Sequence, residues 1–170
     1  MKKYCLDTSG VSNPLETTPE DIHGNTWRQV RECIQSGQIA VTAEIYEELT
    51  RLPSETGECI RLSKAQLILE IGDDSWDWVA YRDQSAALVT TYHPYISEYN
   101  GNNRDTICMN DVSIIALAKT LDIPLVSMER AVVAPGNVSK TKRRIPDICD
   151  AENVTHLTFN DFLRIEGISS

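Results

Sequence analysis

Five acidic residues stand where an α/β chain does chemistry. Asp7 closes the apolar run Tyr4-Cys5-Leu6, and Glu129 follows Leu125-Val126-Ser127-Met128. Asp111 opens a nearly all-apolar stretch over 112–118. Glu44 and Glu48 follow the run Gln38-Ile39-Ala40-Val41-Thr42 and lie four residues apart, so a helix puts them on one face. Glu47 lies close to that face, and spacing alone leaves the second acid open. A lone carboxylate is costly to bury beside such sequence. Several brought together repel one another, and a divalent cation removes the repulsion by taking their oxygens as ligands. Each acid also has an ordinary reading. Asp7 can start an Asx turn with Thr8 and Ser9, Asp111 can be a first-turn acid favoured by the helix dipole, and the three glutamates can form a solvated face. Their joint placement at strand ends and a helix start favours a metal-supported site.

The rest of the composition narrows the alternatives. At 170 residues with 41% hydrophobic and 24% charged side chains, the chain is about one globular domain. No run of about 18 apolar residues exists, and the opening Met1-Lys2-Lys3-Tyr4-Cys5-Leu6-Asp7 lacks the apolar stretch of a signal peptide. A cytoplasmic protein without a membrane span is expected. A net charge of −9 argues against a general nucleic-acid coat protein, which would be basic. It is compatible with a metal-dependent nuclease, whose cations reverse the local sign. The five cysteines are odd in number and scattered, which predicts reduced, mostly buried thiols rather than disulfides or a zinc knuckle. The scattered His23, His93 and His156 argue against a histidine-based metal site. No glycine-rich phosphate loop or nucleophile-elbow serine is present.

The elements that must carry the acids follow from periodicity. Strands are expected at 3–7, 38–42, 124–128 and 154–158. Thr8-Ser9-Gly10 reads as a turn. Thr18-Pro19-Glu20-Asp21 reads as a helix start running through Trp27, Val30 and Ile34 to a stop at Ser36-Gly37. Helices are expected over 43–52, 57–70, 76–89, 111–121 and 160–166. Residues 93–110 and 132–145 read as irregular. Alternation of strand and helix predicts an α/β fold, a parallel sheet of four or five strands between helical layers, with the carboxyl ends of the strands at one rim.

The chain resembles the PIN-domain nucleases, above all the toxins of toxin–antitoxin pairs, along nearly its whole length. Tyr4-Cys5-Leu6-Asp7-Thr8-Ser9 resembles the first motif of that family, with Ser9 where asparagine is common. The stretch Val41-Thr42-Ala43-Glu44-Ile45-Tyr46-Glu47-Glu48-Leu49 resembles the second, whose acid stands just before a leucine, which assigns the role to Glu48 with Glu44 as the alternative ligand. Asn110-Asp111-Val112-Ser113-Ile114-Ile115-Ala116 resembles the third motif, and Leu125-Val126-Ser127-Met128-Glu129 the fourth. A PIN-like branch of unknown function is closer still: it favours glutamate in the fourth motif and carries a segment like Ile145-Pro146-Asp147-Ile148-Cys149.

The resemblance implies a single PIN-like domain over 1–170 with three α/β/α layers, acting as an endoribonuclease. Asp7, Glu48, Asp111 and Glu129 would hold Mg2+ or Mn2+ as the catalytic ligands, with Thr8, Ser9 and Ser127 orienting carboxylates or water. Lys140, Lys142, Arg143 and Arg144 would contact the RNA backbone, a solvated loop being the plain alternative. It also implies an antitoxin partner and possible homodimerisation. A catalytically inactive binding module, or a metal-dependent phosphatase or nuclease with a non-RNA substrate, are the competing readings.

Overall fold

A computed structural model describes residues 1–134, 137 and 139–169. Strand β1 (Tyr4–Leu6) runs into helix α1 (Ser9–Thr17), then α2 (Gly24–Gln35), β2 (Ile39–Ala40) and α3 (Ala43–Leu49). Helices α4 (Glu55–Leu62), α5 (Lys64–Leu67) and α6 (Trp78–Tyr92) follow, then a single 3-10 turn at His93–Tyr95 and α7 (Ser97–Asn100). The chain closes with α8 (Met109–Leu121), β3 (Leu125–Val126), α9 (Ile145–Ala151), β4 (His156–Leu157) and α10 (Phe159–Ile165). All pairings are parallel, in the order β2-β1-β3-β4, with Cys5 opposite both Ala40 and Leu125.

Alternation along β1 assigns its side chains to two layers. Tyr4 meets Phe162 of α10 edge to face at 5.1 Å, and Leu6 packs with Val11, Ile34 and Phe162 from α1, α2 and α10. Helix α8 covers the other face; Val112, Ile114, Ile115, Ala116, Leu117 and Ala118 are all buried, because α6, α3 and α9 pack around it. The expected three-layer α/β/α arrangement with a four-stranded parallel sheet is therefore what the chain adopts.

Several local expectations are corrected. Thr8-Ser9-Gly10 does not turn the chain away; it is the first turn of α1, with Gly10 N–H donating to the Asp7 carbonyl and Ser12 N–H to that of Thr8. Gly10 makes this possible, since a Cβ there would lie 2.8 Å from the Val126 carbonyl oxygen. Thr18-Pro19-Glu20-Asp21 is not the start of α2, which begins at Gly24. Glu20 is used elsewhere: its carboxylate accepts the Glu55 and Thr56 N–H groups at the start of α4 and pairs with Arg31 at 2.8 Å. The single helix expected over 57–70 is broken at Ser63, and Ile68 leaves helical geometry to bridge Val41. Residues 93–110 hold a 3-10 turn and α7, closed by left-handed Gly101 (φ 78°). The cysteines are free; Cys108 is half-buried and the other four are buried.

Candidate functional site

The sheet order places the topological switch point between β1 and β3, where α/β sheets open a crevice at their carboxyl ends. Asp7 is the residue after β1 and is only 5% exposed. Its Oδ2 accepts the Ser9 hydroxyl at 2.6 Å and the Ser9 N–H at 3.0 Å. The same Ser9 hydroxyl accepts the Met128 N–H at 3.0 Å, so one small side chain ties the first acid to the end of β3.

Asp111 is the third residue of α8 and caps it, its Oδ2 accepting the Cys108 N–H at 2.7 Å. Glu129 leaves the end of β3, and its Oε2 accepts the Ile145 N–H at the start of α9 at 3.0 Å. In each of these three groups one carboxylate oxygen accepts a hydrogen bond that fixes the side chain. Burial pushes the Asp111 carboxyl up to about 7, with the charges of Asp7 and Glu129 adding to it. Burial likewise raises Asp7 and Glu129, and each of the two is raised further by a neighbouring carboxylate, Glu48 acting on Asp7 and Asp7 on Glu129. The nearby cation acting on Glu129 is Arg144.

Glu48, on the inward edge of α3, reaches the same place. One of its oxygens accepts the Thr8 hydroxyl and the other the Asn110 side-chain amide at 2.6 Å. Glu44 points elsewhere, into a cleft of about 240 Å³ with Trp76, Tyr81 and Ile71, and Glu47 is exposed. Of the three glutamates, Glu48 is the one the fold brings to Asp7 and Asp111. Ser127 is fully buried and pairs with His156 Nε2 at 2.8 Å; its hydroxyl also accepts the Glu129 N–H at 3.4 Å, so it touches that residue's backbone rather than a carboxylate. Among the described residues, no three histidine, cysteine or acidic side chains already stand as a closed ligand group for a metal ion.

The basic segment is partly occupied. Lys142 and Arg144 both pair with Asp105, at 3.3 and 3.1 Å. Arg143 lies over the rings of Tyr95 and Tyr92, at 5.3 and 6.0 Å from their centroids, and Lys140 is exposed.

Two further residues matter to which the motifs assigned no role. Asn110 holds Glu48, and its only signal was its place directly before Asp111. Asp147 is buried and accepts the N–H groups of Val132, Val133 and Arg144, pinning the segment after Glu129 onto α9. The sequence did signal that role, as an acid one residue after the proline that opens a helix.

No curated protein matches the chain. The model of one family, the domain of unknown function DUF4411, matches residues 4–170. The chain therefore belongs to the DUF4411 family, with the switch-point acids lying inside the matched region.

Proposed function

We propose that this protein is a PIN-like, Mg2+- or Mn2+-dependent endoribonuclease, held in check in the cytoplasm by a separate antitoxin protein. What carries the reading is one observation: Asp7, Asp111 and Glu129, carried by β1, α8 and the end of β3, lie close enough at the switch point for their charges to act on one another, with one oxygen of each anchored. The donor set fits a hard divalent cation, since carboxylate oxygens are its preferred ligands and their mutual repulsion is left largely uncompensated. When bound, the ion supplies Lewis acidity toward a phosphate and offsets the charge that develops there.

The chain's own residues do the rest. Ser9 fixes Asp7 against β3, Cys108 N–H fixes Asp111, and Thr8 and Asn110 hold Glu48 with both oxygens directed. The Asp111 carboxyl exchanges its proton near neutral pH in the free protein, so loading the site releases a proton. An antitoxin that silences such a site would cover the rim with a basic segment, an arginine or lysine forming charge-assisted hydrogen bonds to the acids. The surplus negative charge of the chain would speed that encounter at low salt.

The test is cleavage of single-stranded RNA, duplex RNA and DNA by the purified protein, with Mn2+ and with chelator. RNA cleavage that needs Mn2+ and disappears in Asp7→Asn and Asp111→Asn is expected. Absence of both cleavage and Mn2+ binding would leave a catalytically inactive binding module, a reading favoured by the open ligand geometry. Cleavage of DNA alone would move the substrate class.

A further inference from the structure

Away from the acids, positive charge and aromatic faces collect on one side of this strongly acidic chain. The segments 93–106 and 139–144 lie against each other: Tyr95 hydroxyl donates to the Ser139 carbonyl at 2.6 Å, and Arg143 N–H to the Asp105 carbonyl at 2.9 Å. Arg104, Lys140, Lys142, Arg143 and Arg144 thus share this surface, five of the chain's sixteen lysines and arginines. Against them stand Asp105, already ion-paired, and Glu98. Beside them the rings of His93 and Tyr99 are stacked, 4.5 Å apart and within 8° of parallel. Both side chains are exposed, Tyr99 by 50%.

We propose that this surface is a platform for single-stranded RNA, on which a base stacks against the Tyr99–His93 pair while Lys140 and Lys142 contact the phosphates. Stacking tolerates any base because every base has a π-face, and the cations track the backbone. An acidic peptide would use the cations and leave the rings idle, so the aromatic pair favours the nucleic acid. The platform also leads to the acidic rim. Glu98, the neighbour of Tyr99, accepts the Met109 N–H at the start of α8, two residues before Asp111. At the other side Arg144, paired with Asp105, acts on Glu129. The proposal deepens the nuclease reading by naming where its substrate lies, and rests on that reading only for the choice of RNA over DNA.

The experiment is fluorescence anisotropy of a labelled 12-nucleotide oligouridylate with the full chain in chelator, so that cleavage plays no part. Tyr99→Ala should weaken binding about tenfold, and Tyr99→Phe should restore it, since the ring and not the hydroxyl does the work. Lys140→Ala with Lys142→Ala should lower the slope of log affinity against log salt by about 0.7 for each phosphate no longer neutralised. Matched duplex RNA and polyglutamate should compete poorly. The platform is refuted if the wild type does not bind the oligomer, if Tyr99→Ala binds as tightly, or if duplex or polyglutamate competes equally. Binding with these effects but no Mn2+-dependent cleavage would sustain the platform and overturn the nuclease. Cleavage with an unchanged KM in Tyr99→Ala would do the reverse.

Discussion

At the scale of single residues, Asp111 carries the clearest consequence. Its carboxyl is held near 7 in the folded chain, against about 4 for a free aspartate. The folded state therefore keeps a proton that the unfolded state has lost over that interval. The contribution is fully present below about pH 4 and is lost as pH rises through 7. Asp111→Asn keeps an oxygen for the Cys108 N–H and cannot ionise. In chelator, its gain in thermal stability over the wild type should grow from pH 5 to pH 8; a gap independent of pH would mean that Asp111 is not held protonated. A second contrast concerns the glutamates. Glu48→Gln should abolish Mn2+-dependent cleavage while Glu44→Gln leaves it, because Glu48 meets Thr8 and Asn110 and Glu44 faces the Trp76–Tyr81 cleft. The opposite result in a cleavage assay would assign the ligand to Glu44.

At the scale of elements, the site depends on how closely α1 approaches β3. Gly10 has no room for a methyl group: its Cβ would also meet Leu6 Cδ1 at 3.0 Å. Gly10→Ala must push the first turn of α1 away from Val126, and with it Ser9, the link between Asp7 and Met128. Crowding of this kind costs typically about 1–3 kcal/mol. Denaturant unfolding should show that loss, together with a weakened response to Mn2+. A Gly10→Ala variant as stable and as responsive as the wild type would show that the approach of α1 to β3 does not hold the site. Helix α9 works similarly from the other side, with Asp147 fixing Arg144 and the segment after Glu129.

At the scale of the whole molecule, a chain of net charge −9 keeps a buried carboxylate, Asp7, and two half-buried ones, Asp111 and Glu129, at one rim. A cation that binds only the folded state must raise its stability in proportion to RT ln(1 + [L]/Kd). Millimolar Mn2+ should therefore raise the melting temperature of the wild type, and chelator should reverse it. Asp7→Asn should lose most of the rise. An equal rise in both proteins would place the ion elsewhere on the acidic surface. Among the described residues no helix is long and apolar enough to cross a membrane.

Much of this was legible in the linear sequence where local rules and burial agree. The four strands, the apolar helix expected over 111–121 and found from 109, and the acids at their ends stand out because a buried parallel strand and a helix buried on most sides have sequence signatures. Where one side chain serves a distant element, the signal fails. Glu20 looks like a first-turn acid of its own helix and instead caps α4, thirty-five residues on. Thr8-Ser9-Gly10 has the composition of a turn, and only its approach to Val126 makes it helical. Spacing put Glu44 and Glu48 on one helix face; one turn of α3 then separates them along its axis, leaving Glu44 at the Trp76–Tyr81 cleft and Glu48 against Thr8 and Asn110. The types of residue at the site were written in the sequence. Which oxygen each acid turns toward its neighbours was decided by hydrogen bonds from Ser9, Asn110, Cys108 and Ile145, groups brought there only by tertiary packing.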